Sequence, residues 1–92
     1  MNLTNIYIRP IEKSEAIPYE LLLLADPSKK LIDEYINDSL LYLAVYEKAI
    51  IGIYALLPLD NNVAEIKNIA VHNDYQGKGI GKVFLNNAIQ VA

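Results

Sequence analysis

Val63-Ala64-Glu65-Ile66-Lys67-Asn68-Ile69-Ala70-Val71-His72-Asn73-Asp74-Tyr75-Gln76-Gly77-Lys78-Gly79-Ile80-Gly81-Lys82-Val83-Phe84-Leu85 joins a β-rich run, a polar turn, three spaced glycines and the start of an apolar helix. Glycines at every second position let the backbone take conformations closed to other residues, so successive N–H groups can turn inward around an anion. A helix starting immediately afterwards adds its own unpaired N–H groups and the positive end of its dipole. The local chemistry is that of a phosphate cradle. Lys78 and Lys82 stand at its rim as flexible cations, and Gln76 can fix the loop or donate an amide hydrogen bond.

The run before the glycines predicts a strand from about Val63 to His72. Ile66 and Ile69 cannot share one side of a regular strand, because side chains alternate. One extra residue near Lys67-Asn68 puts them back in phase, which predicts a β-bulge there. After the loop, Lys82, Asn86 and Gln90 recur at helical spacing with Asn87 beside them, while apolar residues fill the rest. Such a helix, running to the end of the chain, needs burial over most of its circumference. It carries no glycine, proline or polar stop signal.

Toward the N-terminus, Ile6-Tyr7-Ile8-Arg9 reads as a first strand ending at Pro10. The stretch from about Lys13 to Ala25 is helical in composition, with Pro18 tolerable only near a helix start or between two short turns. Asp26-Pro27-Ser28 is a break. A second helix from about Lys29 to Asn37 places Leu31, Ile32, Tyr35 and Ile36 on one face. Leu40 to Tyr46 and Ile50 to Leu57 then read as a hairpin across Glu47-Lys48-Ala49, and Pro58 with Asp60-Asn61-Asn62 marks a turn. Tyr42, Tyr46 and Tyr54 pack and pair within that hairpin.

Composition narrows the function. A chain of 92 residues allows one small domain. Its hydrophobic fraction of 53% is slightly above the globular norm, so some apolar surface needs a partner or a further segment. Without cysteine, the chain has no disulfide, thiolate zinc site or cysteine nucleophile, and a cytoplasmic protein is the simplest reading. One histidine, His72, excludes a multi-histidine metal site, so no metal is expected. A net charge of −3 gives no reason to expect nucleic acid, yet Lys67, Lys78 and Lys82 are three of eight cations and cluster around the glycines. The first residues lack the basic and apolar regions of a signal peptide, and the longest aliphatic stretch, Leu21 to Ala25, is too short to span a bilayer.

Two common phosphate motifs fail. The Rossmann fingerprint requires glycine at Lys82 or at Phe84, depending on register, and a Walker loop requires Ser or Thr at Val83 and glycine at Gln76. The pattern that fits is Gln/Arg-x-x-Gly-x-Gly at a strand-to-helix turn. With the preceding strand and the Val-x-x-x-Tyr approach, the segment from Val63 to Leu85 resembles the GNAT superfamily, the Gcn5-related N-acetyltransferases. The earlier order of strand, two helices, hairpin and strand is similar to the first half of that fold. The resemblance implies a layered α/β fold, a mixed and mostly antiparallel sheet flanked by helices, as a single partial domain over residues 1–92 with the C-terminal half missing.

By resemblance, acetyl-CoA is the cosubstrate, with its pyrophosphate on Gln76 and the backbone N–H groups of Gly77, Lys78, Gly79, Ile80, Gly81 and Lys82. Backbone groups of Ile69, Ala70 and Val71 face the pantetheine arm and the acetyl carbonyl. Some family members use a glutamate on this strand as general base, and Glu65, eleven residues before Gln76, has that spacing. An ammonium of pKa about 10.4 must lose its proton before attacking a thioester, so a nearby carboxylate has a definite task. The bland alternative for Glu65 is an ion pair with Lys67, two residues on. The family's usual general acid, often a tyrosine, comes from a segment after the glycine-loop helix, which this sequence lacks. The implied reaction is acetyl transfer to an unspecified primary amine. Two other readings stand beside it: a non-catalytic CoA binder, and a module that dimerises through the 63–72 edge and the terminal helix.

Overall fold

A computed structural model describes residues 5–60 and 62–91. Strands β1 (Ile6–Pro10), β2 (Leu40–Tyr46), β3 (Ala49–Pro58) and β4 (Ala64–Val71) form one antiparallel sheet in the order β1-β2-β3-β4. Helices α1 (Tyr19–Ala25) and α2 (Lys29–Tyr35) precede β2, and α3 (Ile80–Val91) follows β4. Asn61 of the expected turn and Ala92 of the expected terminal helix lie outside the described residues.

The sheet separates two cores, because alternate residues of each strand point to opposite faces. On one face, Leu41, Leu43, Ile53 and Ala55 meet Leu21 and Leu22 of α1 and Ile32 and Tyr35 of α2. On the other, Ala44, Ile51, Tyr54 and Leu56 meet Ile80, Phe84 and Ala88 of α3. The expected face of α2 holds for Ile32, Tyr35 and Ile36, but Leu31 is half exposed. Ser28 caps this helix, its Oγ accepting from the Leu31 N–H at 3.2 Å.

Helix α1 begins at Tyr19, six residues later than the composition suggests, with Pro18 at its N-cap. The preceding residues are held in a turn instead. Arg9 donates to both carboxylate oxygens of Glu15, Nη1 to Oε1 at 2.6 Å and Nη2 to Oε2 at 2.8 Å, and Oε1 also accepts from the Glu12 N–H at 2.9 Å. A bidentate charged pair of this kind outweighs the small helix preference of the intervening residues. The Arg9 hydrogen bond, with that of Glu12, holds the Glu15 carboxyl at about 2 against an ordinary value of 4.5. A depressed carboxyl contributes stability that is present above the ordinary value and is lost as pH falls. Thermal midpoints measured from pH 5 to pH 2 are therefore expected to fall more steeply in the unsubstituted chain than in Glu15→Gln.

The hairpin loop is tighter than expected, with only Glu47 and Lys48 between β2 and β3. Both have positive φ, 49° and 68°, as a two-residue type I′ turn requires. Neither is a residue that favours this conformation. Lys48→Gly is expected to raise stability by about 0.5–1 kcal/mol, read from the urea midpoint, since glycine removes the left-handed strain.

The bulge lies where the sequence puts it. Ala55 pairs with Asn68 and Leu56 with Ile66, so Lys67 is the extra residue of β4. Ile66 and Ile69 consequently both pack on the α3 side. On the outer side β4 has no neighbour among the described residues, leaving its edge open.

Candidate functional site

The open edge of β4 has a definite polarity. His72 N–H donates to Ile51 C=O at 2.7 Å beyond the Gly52–Val71 pair, which makes Val71 a non-hydrogen-bonded partner of Gly52. By alternation, Ala70 exchanges hydrogen bonds with Ile53, whereas Ile69 and Val71 direct their N–H and C=O groups to the open edge. Gln76 occupies one of these groups, its Nε2 donating to Val71 C=O at 2.9 Å and to Asn73 Oδ1 at 3.2 Å. The glutamine therefore ties the loop back to the strand end, as its position suggested.

A short 3₁₀ turn, Asn73–Tyr75, leads into the glycines. His72 Nδ1 accepts from the Asp74 N–H at 3.1 Å and so caps the turn, a structural role for the single histidine. Tyr75 anchors it, its ring meeting Tyr46 and His72 edge-on with centroids 6.0 Å away in each case. Gly77 and Gly79 take φ of 75° and 86°, the left-handed region in which glycine is unstrained. A Cβ placed on Gly77 meets nothing within 4 Å, so that side of the loop is open space.

Ile80, 2% exposed, and fully buried Phe84 pin the start of α3 to the sheet. The Val83 N–H donates to Gly79 C=O at 3.2 Å, the first bond of the helix. From Gly77 to Lys82, no backbone N–H has a hydrogen-bond partner among the described residues. Six consecutive free donors at the entry to a helix, on a loop anchored at both ends, form a positively polarised cradle. Lys78 and Lys82 are exposed at its rim and form no ion pair among the described residues.

Glu65 is exposed, and its Oε1 lies 2.5 Å from Lys67 Nζ. Two features were not legible as parts of this region. Asn68 is buried at 5% exposure, and its Nδ2 donates to Leu22 C=O at 3.1 Å and to the Tyr35 hydroxyl at 3.0 Å. Tyr54, stacked on Tyr42, donates its hydroxyl to Asn87 Oδ1 at 2.5 Å, which explains one polar residue of α3. Burial, with Tyr42 adding to it, raises the Tyr54 hydroxyl to about 12, so it remains a donor. Among the described residues no group of three acidic, histidine or cysteine side chains can hold a metal, and no helix is long and apolar enough to cross a membrane.

A sequence model of the Acetyltransferase (GNAT) family matches residues 3–92. The chain belongs to the GNAT family. The Bacillus subtilis protein named "Uncharacterized N-acetyltransferase YvbK" is 40% identical over 92 residues, all of this chain and 59% of that one. A solved GNAT acetyltransferase from Elizabethkingia anophelis with acetyl-CoA bound is 52% identical, with TM-score 0.91, over 96% of this chain and 57% of that one. A Bacillus subtilis acetyltransferase in complex with CoA is 40% identical, with TM-score 0.82, over 92% of this chain and 56% of that one. The four-stranded sheet and three helices thus match the GNAT fold, and this chain spans somewhat more than half the length of these GNAT relatives.

Proposed function

We propose that this GNAT chain is the coenzyme-binding part of an N-acetyltransferase that moves an acetyl group from acetyl-CoA to a primary amine, residues 1–92 being one partial GNAT domain. The run of six unpartnered N–H groups from Gly77 to Lys82 carries this reading. Free donors at a helix entry suit a pyrophosphate, and the open space beside Gly77 leaves room for it. Gln76 holds the loop in place, and Lys78 and Lys82 add cationic rims.

The outward N–H and C=O of Ile69 and the outward N–H of Val71, with Ala70 between them, align the pantetheine arm as an added strand and polarise the carbonyl near the strand end. Glu65 takes the proton of the acceptor ammonium, leaving Lys67 to do so. When bound, acetyl-CoA supplies a thioester: the amine nitrogen bonds the acetyl carbon, the C–S bond breaks, and the N–H proton that the new amide gives up goes to the leaving sulfur, so that CoA departs as its thiol. Proximity and orientation supply much of the rate. The same reading places the chain in the cytoplasm, beside the intracellular coenzyme pool.

Incubation with acetyl-CoA and a panel of amines is expected to release free CoA. Thermal stabilisation by acetyl-CoA without release from any amine would favour a non-catalytic CoA binder. Absence of stabilisation, or equal stabilisation by NAD or ATP, would overturn the coenzyme reading.

Assembly with a second copy is favoured by a separate observation. Val83, Asn86, Asn87 and Gln90 line the groove beside Ile6 and Ile8, which turns Leu85 and Ile89 toward the β4 side. These two are 45% and 75% exposed beside an open strand edge. Light scattering at twice the 10.3 kDa chain mass supports a dimer, and the monomer mass removes it.

A further inference from the structure

Asn68 pairs with Ala55 immediately after the bulge residue Lys67, and the next residue, Ile69, directs its backbone groups to the open edge. The side chain points away from that edge, into the core beneath α1 and α2, with its amide nitrogen bridging Leu22 C=O and the Tyr35 hydroxyl. Leu22 C=O also accepts from the Asp26 N–H at 3.0 Å, closing the C-terminal end of α1. One amide therefore joins the end of α1, the end of α2 and the bulge of β4.

A buried amide is tolerated only where its acceptors are, so these bonds define one register. Shifting the bulge by one residue would turn Asn68 to the opposite face, against the aromatic core under α3, and leave Nδ2 without either acceptor. Oδ1 is already buried without a partner, so the site holds a polar group that packing alone does not require.

We infer that Asn68 is a positioning residue: through Leu22 and Tyr35 it fixes the β4 bulge, and so sets the outward backbone groups of Ile69 and Val71 that receive the pantetheine arm. This rests on the acetyl-CoA reading above.

The test compares Asn68→Leu, which keeps similar bulk and removes the orphaned oxygen, with Tyr35→Phe, which removes one acceptor. Ile32→Val, in the same core and outside these hydrogen bonds, controls for stability. Calorimetry with CoA, urea midpoints and amide exchange are measured on the 92-residue chain. CoA affinity is expected to fall at least ~5-fold in Asn68→Leu and Tyr35→Phe, with exchange at Ala70 faster by ~10-fold, whereas Ile32→Val stays within ~2-fold in affinity. The inference is overturned if Asn68→Leu binds CoA as the unsubstituted chain does, if affinity merely tracks the urea midpoint across the three variants, or if exchange at 66–71 is unchanged. Should Asn68→Leu not fold, Tyr35→Phe decides by the same criteria. Failure of the unsubstituted chain to bind CoA overturns the coenzyme reading instead, and faster exchange confined to 66–71 then still supports the register role.

Discussion

Phe84→Ala is expected to lower the unfolding free energy by about 3–5 kcal/mol, measured by urea denaturation. Phe84 is fully buried and meets Tyr54 edge-on, with centroids 5.2 Å apart and planes at 63°. Across from it stands Gly52, where a Cβ would lie 3.0 Å from the ring and 3.0 Å from Ala70 C=O. The ring thus fills space that β3 leaves free by carrying glycine. For a small domain with roughly 5–15 kcal/mol in total, such a loss brings the chain close to unfolding and lowers the thermal midpoint by ~15 °C. The effect reaches the candidate site because Phe84 and Ile80 hold the first turn of α3 against the sheet. A loss below about 1 kcal/mol would contradict the docking of α3 described above.

Gly77→Asp is expected to weaken CoA binding roughly 30-fold with little effect on folding. Aspartate tolerates the left-handed region better than most residues, and a Cβ at Gly77 meets nothing within 4 Å. The carboxylate adds a negative charge at the loop that carries the six N–H groups. At about 7 Å from a group carrying two charges, with an effective dielectric constant of roughly 40, repulsion is about 2 kcal/mol. Gly77→Asn, equally suited to the backbone and uncharged, is expected to stay within a few-fold of the unsubstituted chain. The difference between the two variants shrinks as salt is raised. Equal affinities for Asp and Asn at low salt would mean that no anion sits at this loop.

Much of this arrangement was legible because it is local. Alternation alone placed the bulge, since Ile66 and Ile69 had to share a face, and spacing alone offered the Glu65–Lys67 pair that the structure contains. The glycines announced the loop, and Gln76 holds it to Val71. What was not legible depends on partners far away in sequence or on competition between weak preferences. Asn68 reads as an ordinary polar strand residue until α1 and α2 are folded over it, because its acceptors are 46 and 33 residues away. Asn87 likewise pairs with Tyr54 across 33 residues. The start of α1 moved because Arg9 captures Glu15, an interaction that helix composition does not register. The hairpin turn proved shorter because the strands persist up to Glu47 and Lys48, at a cost in backbone strain.

Whether the loop from Gly77 to Lys82 is the coenzyme cradle is decided by amide NMR of the labelled chain titrated with CoA. The largest shifts are expected on the amides of Gly77 to Lys82, accompanied by Ile69 and Val71 at the open edge. Titration to millimolar CoA without shifts there, or with shifts confined to other parts of the sheet, would contradict it.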